Sequence, residues 1–226
     1  MLKKYDDLPK FLKNKEIKKY YDILNKKRGY LFFKRMFDII FSFILLIIRL
    51  PIFIILGIII KIDSKGPVFY RQERVTKYGK IFKIFKFRTM AINADKGSLI
   101  TVNEDNRITR IGKKIRNSRV DEIPQLINIL IGDMSFVGTR PEVKKYVDLY
   151  TNEMMATLLM PAGVTSRASI NYKDEAEIIE KYLQKEKKVD DIYVKKILPE
   201  KMKYNLKYIK KCSIVEDIKI CIKTIV

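Results

Sequence analysis

The longest feature of the hydrophobic pattern is an almost uninterrupted apolar run over residues 39–60. As a helix, its 22 residues are enough to cross a bilayer once. The run starts too far from the N-terminus, and lacks the small-residue cleavage site, to be a signal peptide. Two residues in its middle resist a plain spanning helix. Pro51 removes a backbone hydrogen bond, and Arg49 puts a charge near the bilayer centre.

Basic residues flank both ends of this run: Lys34 and Arg35 precede it, and Lys61 and Lys65 follow it. Because basic residues mark the cytoplasmic side, matched flanks favour a helix that enters the membrane, breaks at Arg49 and Pro51, and returns. Arg49 would then reach lipid headgroups or donate to carbonyls freed by the break. A tilted spanning helix with a proline fits the same pattern, so the residues alone leave both topologies open.

The segments on either side of the run have different patterns. Residues 1–35 hold twelve basic and four acidic residues with helical spacing, which predicts either a surface helix near anionic lipid or a solvated charged helix. After the run, PVFYRQERV (67–75) and KIFKIFKFRT (80–89) flank a turn at Gly79 and predict a β-hairpin. Residues 91–106 are typical of a polar loop.

The second half of the chain is predicted to be mainly helical. Residues 107–117 form a basic pattern with isoleucines on one face, and a further helix is expected from about Asp121 to a stop at Gly132. A mixed basic and aliphatic pair of helices ends the chain. The expected fold class is therefore α+β and mostly helical.

Composition limits the kind of binding partner and the residue types that could carry out catalysis. In 226 residues, 47 Lys and Arg stand against 26 Asp and Glu, a net charge of +21 that argues for an anionic partner. There is no His, and the two Cys are too few for a zinc site or a disulfide framework. Catalysis would fall to carboxylates and other polar groups, with a hard metal ion such as Mg²⁺ if any.

One acidic pair stands out in this basic chain: Asp121 and Glu122, within SRVDEIPQL. Pro124 is tolerated only in a helix's first turn, which predicts Asp121 near the N-cap. A structural cap is one interpretation. The other is a nucleophile, because the helix dipole and Arg116 and Arg119 would favour its ionised form beside a bound phosphate.

Longer motifs give a resemblance. KRMFD (34–38), the hydrophobic run with a central proline, KIFKFRTM (83–90), the stretch 105–142 and LKYIKKCSIVEDIKI (206–220) occur in the order found in bacterial sugar transferases, the monotopic polyprenyl-phosphate phosphoglycosyl transferases. The resemblance implies residues 1–33 as a basic extension, 34–62 as a re-entrant membrane helix hairpin, and 63–226 as a small cytoplasmic α/β catalytic domain with interfacial amphipathic helices.

The resemblance also implies a reaction. A UDP-sugar would give its phosphosugar to polyprenyl phosphate at the cytoplasmic face of the bacterial inner membrane, releasing UMP, as the first membrane step of a lipid-linked glycan. Asp121 would be the nucleophile, and Glu122 would assist with Mg²⁺ or as a base. Arg88, Arg116 and Arg140 would hold phosphate oxygens; Arg140 ends a turn-rich loop suited to that task.

This sequence departs from the family pattern at Leu50, Ala162 and Asn205, where a Ser before the proline, an arginine-containing loop and an Asp are common. A non-catalytic, membrane-tethered scaffold for polyanions is the rival interpretation. A nucleic-acid partner is not expected, because the basic residues form no known readout motif. A homodimer is kept as one oligomeric state.

Overall fold

The computed structural model describes residues 2–91, 107–173, 175–183 and 189–225, without the side chains of Ala176 and Ile225. Most of the predicted loop at 91–106 lies outside the described residues. The described part is mostly helical, as the sequence predicted, and has two small sheets, of which the sequence predicted only the hairpin. The helices are α1 Lys15–Lys26, α2 Arg28–Asp63, α3 Arg110–Asn117, α4 Gln125–Ile131, α5 Lys144–Val147, α6 Arg167–Asn171, α7 Glu175–Leu183, α8 Val189–Ile192, α9 Leu198–Lys211 and α10 Ile214–Ile225.

Two strand pairs complete the fold. Strands β1 (Phe69–Val75) and β2 (Ile81–Phe87) form the predicted antiparallel hairpin, in which Gly79 turns the chain with a φ of 77°. Strands β3 (Met134–Val137) and β4 (Ala162–Thr165) pair in parallel. Helix α4 packs against both β2 and β3, so it joins the two sheets.

Helix α2 contains the apolar run. Its most apolar 18-residue window is only 6% buried within the protein, and it is long and apolar enough to cross a membrane. It continues through Pro51 as one helix, without a loop that would separate two helices. Arg49 makes no hydrogen bond to any atom of the described residues, so the predicted capping of freed carbonyls is not seen. A return of the chain to the same membrane face stays a prediction.

Both ends of α2 pack against the rest of the protein. Near the start, Lys34 pairs with Asp217 of α10 at 2.7 Å, and the buried Asp38 accepts from the Ser135 hydroxyl and the Phe136 N–H. Near the end, Ile60 is buried with Phe87 and Ile115. The KRMFD motif thus fixes the apolar helix α2 to the rest of the protein.

The N-terminal segment is part of the main core. Leu12, Ile17 and Leu24 are fully buried and cluster with residues from α9 and from the 3₁₀ segment Met154–Leu159. The Tyr20 hydroxyl also donates to Glu153 at 2.5 Å. The lysines at 3, 4, 10, 13, 15, 18 and 19 are exposed, while the apolar side chains of this segment help to form the main core.

Candidate active site

The carboxylate pair lies in a tight turn between α3 and α4. Arg119 takes a left-handed conformation with a φ of 54°, and residues Val120–Glu122 form a single 3₁₀ turn. Helix α4 begins at Gln125 with Pro124 in the N-cap position. Asp121 is therefore not the N-cap that the sequence predicted; it precedes the helix and is buried, with 9% of its surface exposed.

Glu122 is held between two cations. Its carboxylate accepts from Arg140 at 2.6 Å and from Lys86 at 2.8 Å. Arg140 lies in the loop after β3, and Lys86 lies on β2. Residues from two different sheets therefore contact the Glu122 side chain. The structure thus brings Glu122 and Arg140 together as candidate site residues, and adds Lys86.

Lys86 was missed by the sequence interpretation. Strand alternation in KIFKFRTM puts Lys86 on the face opposite the buried Phe87, which was a usable signal. Its partner Glu122 lies 36 residues away in sequence, however, and only the packing of β2 against the carboxylate turn reveals the contact.

The two carboxylates have opposite electrostatics. Burial raises the pKa of Asp121, and the neighbouring Glu122 raises it further, against the lowering influence of Lys86 and Arg116. The expectation of a lowered pKa for Asp121 was wrong, because burial outweighs the nearby arginines. For Glu122, burial also opposes ionisation, but Arg140 and Lys86 together hold its pKa well below the ordinary value.

Arg88 lies at the C-terminal end of the membrane helix. One of its terminal nitrogens, Nη2, donates to the Ser64 carbonyl at 2.6 Å and to the Ser64 hydroxyl at 2.9 Å. Its Nε and Nη1 are buried and have no hydrogen-bond partner within the described part of the chain. Arg116 donates to the Thr89 hydroxyl at 2.9 Å. Arg116 therefore contacts the residue that directly follows Arg88.

A cavity of about 600 Å³ opens beside the carboxylate turn. Glu122 and Arg140 line it, while Asp121, Arg88 and Arg116 are not among its lining residues. The apolar helix α2 contributes Leu45 and Arg49 to the lining. The cavity is therefore shared between the carboxylate turn and the apolar helix.

The departures from the family pattern can now be placed. Ala162 is buried in β4 opposite Met134. Arg167 forms an ion pair with Glu216 of α10, so its charge is already neutralised within the chain. Asn205 is buried against Met202 in the core and does not line the cavity. Leu50 is exposed on α2.

Asp121 and Glu122 offer only two carboxylates to a metal ion. In the described ranges, no group of three or more acidic, His or Cys side chains is gathered in metal-binding geometry. Asp121 and Glu122 are adjacent, and Mg²⁺ is commonly bound through one or two carboxylates with substrate phosphates completing its shell. The pair supplies two carboxylates of the kind that such an arrangement uses.

Comparison with known proteins agrees with the motifs. The family model described as bacterial sugar transferase matches residues 29–226. A Bacillus subtilis (strain 168) protein, provisionally named undecaprenyl-phosphate N-acetylgalactosaminyl 1-phosphate transferase, is 44% identical over 135 residues, covering 59% of this chain and 75% of the relative.

Two longer relatives match over more of the chain. The UDP-N-acetylgalactosamine-undecaprenyl-phosphate N-acetylgalactosaminephosphotransferase of Aeromonas hydrophila is 34% identical over 200 residues, 87% of this chain and 43% of the relative. The UDP-glucose:undecaprenyl-phosphate glucose-1-phosphate transferase of Klebsiella pneumoniae is 36% identical over 199 residues, 85% of this chain and 39% of the relative. The chain thus spans about two fifths of each of these two proteins.

Proposed function

Because this chain belongs to the bacterial sugar transferase family, we propose that it transfers a sugar phosphate from a UDP-sugar to polyprenyl phosphate and releases UMP. The observation that carries the proposal is the charge arrangement at the carboxylate turn. A buried carboxylate with a raised pKa stands beside one held ionised by two cations, on the edge of a cavity shared with a membrane helix.

The proposed reaction has two displacements at one phosphorus. An Asp121 oxygen attacks the phosphorus that bears the sugar; the bond to UMP breaks, and UMP leaves with the bridging oxygen. A polyprenyl phosphate oxygen then attacks the same phosphorus and releases the Asp121 carboxylate. Asp121 makes no hydrogen bond or ion pair among the described residues, so its oxygens are free to attack, and burial keeps water away from the acyl phosphate.

Cations around the turn would stabilise the charge on the phosphates. Arg140 is fixed by Glu122 and lines the cavity, and Arg88 has two buried nitrogens, Nε and Nη1, without a hydrogen-bond partner among the described residues. Glu122 and Asp121 would hold Mg²⁺ together with the donor's diphosphate; the ion supplies neutralisation of phosphate charge.

The proposed membrane arrangement places the catalytic domain on one face, with both ends of α2 on the cytoplasmic side of the inner membrane. In support, residues near both ends of α2 pack against the same domain. Helix α10 adds an apolar exposed face beside this helix, which is typical of an interfacial helix. Its exposed residues are Ile214, Val215, Ile218 and Ile222.

The two half-reactions can be separated. With a UDP-sugar and Mg²⁺ but no polyprenyl phosphate, the purified enzyme should release close to one UMP per active site and stall, with a phosphosugar attached to the protein. Asp121→Asn should abolish both events, whereas Glu122→Gln should slow them without moving the attachment site. A panel of UDP-sugars would identify the donor.

Two outcomes would count against this proposal. UMP release only when both substrates are present, with no labelled protein, would favour direct transfer and reduce the carboxylates to Mg²⁺ ligands. No UMP from any UDP-sugar, together with retained binding of polyanions, would favour the non-catalytic scaffold.

A further inference from the structure

Arg49 is a cation on an apolar helix. It lies near the middle of α2, is exposed, and has Ile47, Ile48 and Leu50 as exposed neighbours. Among the described residues it has neither a hydrogen-bond acceptor nor an acidic partner. A charge at bilayer depth is costly unless something pairs with it, so such residues usually face a cavity or a ligand.

The cavity that Arg49 lines is strongly positive. It gathers five cationic side chains against one carboxylate, Glu122, and that carboxylate is already paired with Arg140 and Lys86. The cations are Arg49, Arg119, Arg140, Lys173 and Lys223. The uncompensated charge is suited to bind more than one phosphate group.

The rest of the cavity wall is mostly apolar, with four hydroxyl side chains, Ser118, Thr165, Ser169 and Thr224. It is built from Leu45 on α2, from residues of and before α4, and from the β3 and β4 region. The apolar lining residues are Leu45, Val120, Ile123, Leu126, Ile129, Phe136, Val164 and Ile170. A ligand that matches both parts of the wall carries a phosphate joined to a hydrocarbon chain.

We propose that Arg49 binds the phosphate of the polyprenyl acceptor and aims it at the carboxylate turn. This rests on the proposed function and goes beyond it by assigning the acceptor subsite. The donor nucleotide is the weaker match for Arg49, because the uridine and ribose are polar and Arg49 is surrounded by exposed isoleucines and Leu50 on the membrane helix. Arg140 and Arg49 line the same cavity and would hold the two phosphates on neighbouring walls.

The test compares Arg49→Gln with Lys61→Gln, which removes one exposed cation from the far end of the same helix, outside the cavity. Full-length enzyme in lipid nanodiscs is assayed for UMP release without acceptor and for complete transfer at varied undecaprenyl phosphate. Arg49→Gln should keep the first step and raise the acceptor KM by about tenfold or more, as expected for one lost charge-assisted hydrogen bond. Lys61→Gln should change neither, and Arg49→Lys should restore part of the loss.

Other results would overturn the assignment. An unchanged acceptor KM in Arg49→Gln would do so, as would a loss of the UMP burst, which would tie Arg49 to the donor or to folding. A comparison of nanodiscs made from neutral and from anionic phospholipid shows whether Arg49 binds an ordinary lipid headgroup or the acceptor phosphate. If Arg49→Gln abolishes only a dependence on anionic lipid, the headgroup is the ligand. A wild-type enzyme without any transfer would instead contradict the proposed function itself.

Discussion

Asp121 and Glu122 are neighbours in sequence, yet the fold gives their carboxylates opposite energetic roles. Burial raises the pKa of Asp121, so the folded protein holds its proton more tightly than the unfolded chain does. The stability from that proton is complete below the unfolded pKa and is lost as the pH rises through the folded pKa. Where Asp121 is ionised it therefore lowers stability, while ionised Glu122, with its depressed pKa, adds to it.

Matched amides at these two positions should therefore shift stability in opposite directions. We expect Asp121→Asn to raise the free energy of unfolding at pH 7 while abolishing turnover. Glu122→Gln should lower it by about 1–3 kcal/mol, since Arg140 and Lys86 lose their charged partner. Thermal unfolding in detergent at pH 7 measures both variants, and shifts of the same sign would contradict this account.

Lys86 should set the acid limb of the first half-reaction. The attacking form of Asp121 is ionised, and Lys86 is the strongest influence that lowers its pKa. Lys86→Met should therefore move the rise of UMP release to higher pH. Lys83→Met removes an exposed cation from the same strand and should leave the profile in place. Identical profiles for the two variants would separate Lys86 from Asp121.

At the scale of elements, α2 is held near both ends by contacts with one domain. The re-entrant topology then predicts that both ends are reached from the cytoplasmic side. In a background with Cys212→Ser and Cys221→Ser, Gly29→Cys and Lys65→Cys should react with a membrane-impermeant maleimide only in inverted vesicles. Gly29 suits this test because no atom lies within 4 Å of an added Cβ. Labelling of either position in intact spheroplasts would make α2 a spanning helix.

Local signals were sufficient for several elements. The hairpin, the basic helix α3 and the C-terminal pair were predicted from alternation, helical spacing and glycine, and Gly132 ends α4 with a φ of 93° as expected. The site was only partly predictable. Glu122 and Arg140 were identified from motifs, but the raised pKa of Asp121 depends on burial, a tertiary property that neighbouring arginines in the sequence could not reveal.

On the scale of the whole molecule, the N-terminal segment stabilises a domain to which the family model does not assign it; that model begins at residue 29. Leu24 is fully buried in the main core with residues of the catalytic domain. Leu24→Ala should therefore cost about 2–5 kcal/mol of folding stability, as for other large-to-small core changes.

The matched control for Leu24→Ala is Lys19→Ala, which truncates an exposed side chain on the same helix α1. Denaturant unfolding of the full-length protein in detergent would measure both. If Leu24→Ala unfolds at the wild-type midpoint, the segment is a separate appendage rather than part of the core.

The hold of Arg35 on α4 has a mechanical consequence. Arg35, on the membrane helix, donates to the Ile129 and Leu130 carbonyls at 2.6 and 2.9 Å, and α4 begins three residues after Glu122. A change in bilayer thickness that tilts α2 would therefore displace α4, and with it the carboxylate turn that precedes α4. We expect transfer rates to vary with acyl-chain length in nanodiscs, and this variation to flatten in Arg35→Gln. The thickness of the membrane would then control the transfer rate of this enzyme, in addition to the membrane's role as the solvent for the acceptor.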